Sequence, residues 1–184
     1  MSYDLLGRKT AMSDPDMGSW LYQYDANGNL TGQRDARGLW LYLGYDDLNR
    51  LVSKRQDDPA TGALCADSLY DAVGQKGLLS VSRRSYTAEG VVEVQNLAYD
   101  ARNRPTQQQW IVPGAGGGTF RMEAAFDEAD RKSSQSYPDG NAGQSGEVVS
   151  YGYNAVGQLT SVSGLGGVQY VSSASYNAQG QITQ

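Results

Sequence analysis

One short pattern returns along the whole chain and constrains its fold more than any other feature. It runs aromatic residue, acid or Asn, two variable residues, Gly or a substitute, a polar residue and often an aliphatic one. Three copies are complete: Tyr24-Asp25-Ala26-Asn27-Gly28-Asn29-Leu30, Tyr153-Asn154-Ala155-Val156-Gly157-Gln158-Leu159 and Tyr176-Asn177-Ala178-Gln179-Gly180-Gln181-Ile182. Five more vary it. Tyr3-Asp4 leads to Gly7 and Arg8, Tyr45-Asp46 to Asn49, Arg50 and Leu51, Tyr70-Asp71 to Gly74 and Gln75, Tyr99-Asp100 to Asn103 and Arg104, and Phe126-Asp127 to Asp130 and Arg131. The aromatic positions 3, 24, 45, 70, 99, 126, 153 and 176 lie 21, 21, 25, 29, 27, 27 and 23 residues apart. Such intervals suit two strands and two turns, since helical repeats usually keep a fixed period of about 33 residues or more.

Each residue type in the unit has a turn-forming reason. Asp or Asn in second place accepts a hydrogen bond from the backbone two residues on, and Gly three places later takes the left-handed backbone that closes a type I turn with a bulge. Asn49, Asn103 and Asp130 replace Gly, and Asn and Asp tolerate that backbone best. The motif is therefore a hairpin tip. Flanking segments alternate: Trp20, Tyr22 and Tyr24 fall on one face, as do Leu39, Leu41, Leu43 and Tyr45, and Leu51 or Leu159 begins a returning strand. Second turns follow at Ser13-Asp14-Pro15-Asp16-Met17-Gly18, Asp35-Ala36-Arg37-Gly38, Asp57-Asp58-Pro59-Ala60-Thr61-Gly62 and Tyr137-Pro138-Asp139-Gly140-Asn141. The glycine-rich stretches 113–118 and 164–167 read as looser loops. These signals predict an all-β chain of consecutive antiparallel β-hairpins, about 16 strands in all, in a single repeat region spanning residues 1–184.

Composition narrows the function. The 23 Gly and 13 Tyr stand against 2 Phe, and the net charge of −5 contains no block of like charges, so neither a nucleic-acid face nor a membrane-adsorbing stripe is expected. With no His and one cysteine, Cys65, the usual zinc ligands and proton shuttles are missing, and no metal, cofactor or catalytic residue is expected. No stretch approaches the roughly 20 apolar residues of a membrane span. The first eight residues lack the character of a signal peptide, so any export signal is expected elsewhere.

The motif series, together with Tyr3-Asp4-Leu5-Leu6-Gly7-Arg8, Asp14-Pro15-Asp16 and Trp20 ahead of the next Tyr-Asp, resembles the YD repeats of the RHS family. Its members include bacterial RHS polymorphic toxins, the B and C subunits of insecticidal toxin complexes, and animal teneurins. The resemblance implies hairpins joined into a strip that curls and spirals into a hollow shell, often around a C-terminal toxin domain. It implies a bacterial parent protein, secreted or at the cell surface, with the other repeats of its shell and a toxin cargo as partners. Asp14-Pro15 and Asp58-Pro59 sit in ordinary turns, without the cap context of the family's self-cleaving aspartate, so self-cleavage is not expected. A hairpin opening at Tyr3 and a tip near the end at Gly180 read as a fragment with open sheet edges that could self-associate. Eight hairpins would cover roughly 2,000 Å², whereas enclosing a domain of about 100 residues takes more than about 3,600 Å². The chain is thus read as an arc of wall.

Rival sites weigh less. The turn role accounts for every repeated acid, and Asp14 with Asp16, or Asp127 with Asp130, supplies too few oxygens for a calcium loop or a catalytic pair. No Lys-Ser/Thr pair follows the glycines at 114–118, and Cys65 has no His to activate it. The Asn29-Leu30-Thr31 sequon falls in a turn. The alternative is a carbohydrate- or protein-binding module using a sheet edge or an exposed surface of Trp20, Tyr22, Trp40, Tyr42, Trp110 and Tyr170, although packing explains these aromatics more simply.

Overall fold

The computed structural model describes residues 1–86, 90–114, 116–138 and 145–183. Its regular structure there is strand throughout, apart from one 3-10 turn at Leu165–Gly167. The chain divides into two compact units, Met1–Val92 and Glu93–Gln184. The first contains β1 (Ser2–Tyr3), β2 (Lys9–Asp14), β3 (Gly18–Tyr24), β4 (Leu30–Arg34), β5 (Trp40–Tyr45), β6 (Leu51–Gln56), β7 (Leu64–Tyr70) and β8 (Leu79–Tyr86). Each pairs antiparallel with the next. The second holds most of β9 (Gly90–Tyr99), then β10 (Pro105–Val112), β11 (Gly118–Phe126), β12 (Lys132–Pro138), β13 (Ser145–Tyr153), β14 (Leu159–Ser163) and β15 (Gln169–Val171), again paired in sequence order. The fold is all-β, made of consecutive antiparallel hairpins as the repeats predict. The eighth hairpin falls short of a full strand pair: its return is the single bridge Tyr176↔Ile182.

Register at the tips is regular in a way the sequence reading did not anticipate. The aromatic residue pairs with the residue that opens the returning strand, as in Tyr24↔Leu30, Tyr45↔Leu51, Phe126↔Lys132 and Tyr153↔Leu159. The next strand residue is then skipped, so that Gln23 pairs with Gly32 and Gly152 with Ser161. The skipped residues are Thr10, Thr31, Val52, Ser80, Thr106, Ser133 and Thr160. A bulge that opposes two residues to one raises the local twist. Six of these seven residues are Thr or Ser, whose hydroxyls can serve the interrupted ladder: Ser80 Oγ donates to the Leu69 carbonyl at 2.9 Å.

Burial is shallow. Among the described residues Val149, at 7% exposure, is the one hydrophobic side chain in the buried class, and Ser80 and Ser136 are its polar counterparts. The chain exposes 11688 Å², against about 8,600 Å² for a compact monomer of this mass.

Two sequence expectations need correction. At Tyr70 the tip is not the Asp-x-x-Gly turn ending at Gly74 and Gln75. Asp71 itself has φ 62°, its N–H donates to the Leu78 carbonyl at 3.0 Å, and its carboxylate accepts from Gly77 N–H. Residues Gln75-Lys76-Gly77 lengthen the turn, so the strand resumes at Leu79. The six aromatics also do not form one stacking surface. Cross-strand partners share a face, and Tyr22 pairs with Gln33 and Gln33 with Leu41, whereas Tyr42 pairs with Gly32. Trp20 and Tyr22 therefore occupy one face of the first unit and Trp40 and Tyr42 the other. Trp110, paired with Val94 and Phe120, and Tyr170 belong to the second unit.

Among the second turns, Asp14 pairs with Gly18 and its carboxylate accepts the N–H groups of Asp16 and Met17. Asp58 accepts those of Ala60 and Thr61 in the same manner. Asp35 builds a full tip, with Gly38 N–H returning to the Asp35 carbonyl at 3.0 Å, although no aromatic precedes it. In the glycine-rich stretch, Gly117 N–H closes onto the Gly114 carbonyl at 2.9 Å. Asp139, Gly140 and Asn141 of the turn expected after Tyr137 lie outside the described residues, as do Ala115 and Gln184.

Candidate functional site

The recurrent construction is the tip. In the first, Asp4 N–H donates to the Arg8 carbonyl at 2.9 Å and Gly7 N–H donates back to the Asp4 carbonyl at 3.0 Å. One carboxylate oxygen of Asp4 accepts the backbone N–H groups of Leu6 and Arg8, and the other accepts Arg8 Nε at 2.7 Å. Five hydrogen bonds are thus closed within five residues. Gly7 has φ 77°, and Asn49, Asn103 and Asp130 take 60°, 62° and 64° in its place. The same scheme recurs at Asp46 with Arg50, Asp100 with Arg104 and Asp127 with Arg131. At Asp25 the partner is Asn29, whose Nδ2 donates at 2.8 Å. The last two tips are neutral: Asn154 and Asn177 donate through Nδ2 to Gln158 Oε1 and Gln181 Oε1 at 2.8 Å. Gly28, Gly157 and Gly180 close these three tips with positive φ.

Successive tips are also tied to one another. In five repeats the tip tyrosine's hydroxyl donates to the carbonyl that opens the previous repeat's returning strand: Tyr24 to Lys9, Tyr45 to Leu30, Tyr70 to Leu51, Tyr153 to Lys132 and Tyr176 to Leu159, at 2.6–3.2 Å. The arginine of that previous tip lies over the same aromatic ring, with Arg8 4.9 Å from Tyr24, Arg50 4.3 Å from Tyr70, Arg104 4.4 Å from Phe126 and Arg131 4.6 Å from Tyr153. Cation–π attraction and a charge-assisted hydrogen bond therefore act at one junction. Beyond the ring the guanidinium reaches the next turn: Arg8 to the Asp25 carbonyl, Arg50 to both Asp71 oxygens, Arg104 to Asp130 and Arg131 to the Asn154 carbonyl. Asn29 reaches Asn49 in the same position. These contacts form a ladder along the tips within each unit.

The reading from sequence placed the aromatic, acid and glycine positions but missed two roles. The residue four after the acid both clamps its own turn and reaches the next one, and the aromatic hydroxyl faces backward. A signal for the first was present: Asp pairs with Arg or Asn four residues on, and Asn pairs with Gln.

Tip carboxylates titrate below the ordinary range. At Asp4, Asp46, Asp100 and Asp127 the main cause is the backbone N–H of the arginine four residues on, and at Asp25 the Asn29 side chain. The Arg50 guanidinium holds Asp71 at about 2. In the unfolded chain these groups bind protons at higher pH than in the fold, so their stabilisation is complete above about pH 4 and lost as the pH falls through the lower native values. Urea midpoints should therefore hold from neutral pH to about 4.5 and drop steadily from there to about 2. A midpoint flat across that acid range would show that the carboxylates carry nothing.

Other features offer little chemistry. Among the described residues no three His, Cys, Asp or Glu side chains gather as metal ligands would, and no helix is long and apolar enough to cross a membrane. Cys65 borders an open depression of about 320 Å³ with Trp20, Leu39 and Leu41, and its thiol faces the Ala63 carbonyl at 3.6 Å. In the second unit the Tyr137 and Tyr151 hydroxyls meet at 3.4 Å, and that bond pushes Tyr151 up to about 12. Tyr170 donates to Glu147.

Comparison with known proteins places this construction. The family pattern described as RHS Repeat matches residues 3–39 and 24–62. No curated protein matches the sequence significantly. Solved structures do match by fold: TcdB2-TccC3 with a TM-score of 0.77 and 18% identity, covering 98% of this chain and 10% of that one, and TcdB2-TccC3-Cdc42 with the same values. The Tc holotoxin pore of Photorhabdus luminescens, carrying a mutated TccC3, gives a TM-score of 0.78 at 16% identity over 98% of this chain and 9% of that one. The chain spans about a tenth of the length of these structures. At such identity the likeness shows the fold alone, while the repeat match adds the sequence unit that builds it. Residues 3–62 thus match the RHS repeat pattern, and the same tip, closed and laddered, recurs in both compact units of the chain.

Proposed function

We propose that this chain is a stretch of wall in an RHS-type shell of a secreted toxin complex, and that its function is mechanical. The whole of residues 1–184 acts as one repeat region, and the motif residues from Tyr3 to Gly180 are fasteners of the sheet. The shell's other repeats are its neighbours and a toxin segment its cargo. No residue performs bond chemistry. The tip ladder carries this reading, because its Asp, Asn, Arg and Tyr side chains close turns or hold the next repeat, the work of fasteners and not of an acid, base or nucleophile. The shallow burial agrees, since a wall meets other material on its faces. The test is protease protection of the enclosed segment in the parent protein. Loosening the ladder by Tyr45→Phe with Arg50→Gln should speed cargo cleavage severalfold, and equal protection in the variant would contradict the proposal. The binding-module alternative is weakened by the separation of Trp20 and Trp40 onto opposite faces.

A further inference from the structure

The chain is acidic overall, yet one face of its first unit carries two cations without a carboxylate partner. Register aligns Leu43, Lys54, Ala66 and Arg84 in a row across β5 to β8, so all four side chains emerge on the same face. The row beside it, Gly44, Ser53, Asp67 and Arg83, emerges on the other face, where Arg83 pairs with Asp67 at 3.1 Å. Neither Lys54 nor Arg84 has a hydrogen bond or ion pair among the described residues. Between them the small side chain of Ala66 leaves a dip of about 150 Å³. Ser68 and Ser82, paired two residues further along the same face, line it as well.

We propose that Lys54 and Arg84, with the hydroxyls of Ser68 and Ser82, bind a tetrahedral oxyanion, a sulfate or phosphate group, over Ala66. Strands two apart in a sheet lie about 9.6 Å from each other, a span that two long cationic side chains close by leaning inward. The donor set favours this group over a carboxylate. An ammonium, a guanidinium fork and two hydroxyls supply more N–H and O–H groups than two oxygens can accept, and they suit a centre with three or four. Like-charge repulsion between the two cations is relieved when the anion enters, so binding should be stronger at low ionic strength.

The experiment is a titration of the full chain with sodium sulfate against sodium chloride at matched ionic strength, followed through the backbone amide resonances of Ala66, Ser68 and Ser82. Saturable shifts confined to these strands are expected with sulfate. They should weaken at least tenfold in Lys54→Gln/Arg84→Gln and persist in Lys76→Gln, a loss of charge on a distant turn. A sulfated disaccharide titrated alongside separates the sources: tighter binding than sulfate points to an ester on a carbohydrate, and equal binding to the free ion. Shifts that rise linearly without saturating, or that are unchanged in the double variant, would overturn the proposal.

Discussion

Replacing Gly32 with valine is expected to lower the unfolding free energy by about 1–3 kcal/mol, the usual cost of forcing extra methyl groups into a filled space. Gly32 lies in the middle of β4, where a glycine ordinarily weakens a strand by about 0.5–1 kcal/mol relative to alanine, so its presence calls for a packing reason. The reason is the stacked pair on β5. Trp40 and Tyr42 lie with ring centroids 5.5 Å apart and nearly parallel, and they cover Gly32. A Cβ added there would sit 3.3 Å from Trp40 and 3.4 Å from Tyr42, with Gln23 at 3.0 Å. Gln23 can swing away. The two rings cannot both do so without losing their stacking, worth about 0.5–1.5 kcal/mol beyond area. Strain and lost stacking together exceed what a better strand former returns. Gly32→Ala should be close to neutral and Gly32→Val clearly destabilising, with a loss of the near-ultraviolet circular dichroism of Trp40. A valine variant at least as stable as the parent chain would mean the rings do not rest on the glycine.

A comparable loss is expected from Asp46→Ala, seen as a melting midpoint lowered by several degrees. That one substitution strands the N–H groups of Leu48 and Arg50 and frees the Arg50 side chain, which also holds both oxygens of Asp71. The damage should reach the neighbouring repeat for that reason. The chain itself contains the rescue. Its seventh and eighth tips perform the same closure with Asn and Gln, so Asp46→Asn with Arg50→Gln should recover the turn. It should not recover the bridge to Asp71, because a shorter amide replaces the guanidinium fork. The expected order of melting midpoints is parent chain, then the Asn/Gln pair, then Asp46→Ala. At about pH 2.5 the pair should close on the parent, since its tip has no carboxylate to protonate. An Asn/Gln pair no better than alanine would show that the two kinds of tip are not equivalent.

How much of this was legible in the sequence depends on the range over which each feature is set. Turn chemistry acts within five residues, and there Asp4 with Gly7 or Asp46 with Asn49 declared the tips directly. Strand alternation acts within one segment and placed Trp20, Tyr22 and Tyr24 together. Which face those three share with the next strand depends on bulges and turn lengths between segments. The sequence reading therefore merged Trp20 with Trp40, which the register of Gln33 and Gly32 separates. The Tyr70 tip was misjudged because Gly74 stands where the pattern wants it, while Gly77 offers a second left-handed position and the Arg50–Asp71 pair supports the longer loop. Tyrosine hydroxyls reaching backward across 15–19 residues left no mark in any single copy. Only the comparison of Tyr with Phe126 at equivalent places suggests that the hydroxyl has a task.

That comparison also supplies the most direct measurement. If the aromatic hydroxyl fastens each repeat to the one before it, removing it from Tyr45 and adding it to Phe126 should act in opposite directions. Tyr45→Phe deletes the 3.0 Å bond to the Leu30 carbonyl, and Phe126→Tyr places a donor toward Pro105, which opens its returning strand as Leu30 does. Urea denaturation of both variants beside the parent chain should give a loss of about 1 kcal/mol for the first and a gain of similar size for the second. Two variants indistinguishable from the parent, or a Phe126→Tyr that destabilises, would contradict the ladder as the device that joins these hairpins into a sheet.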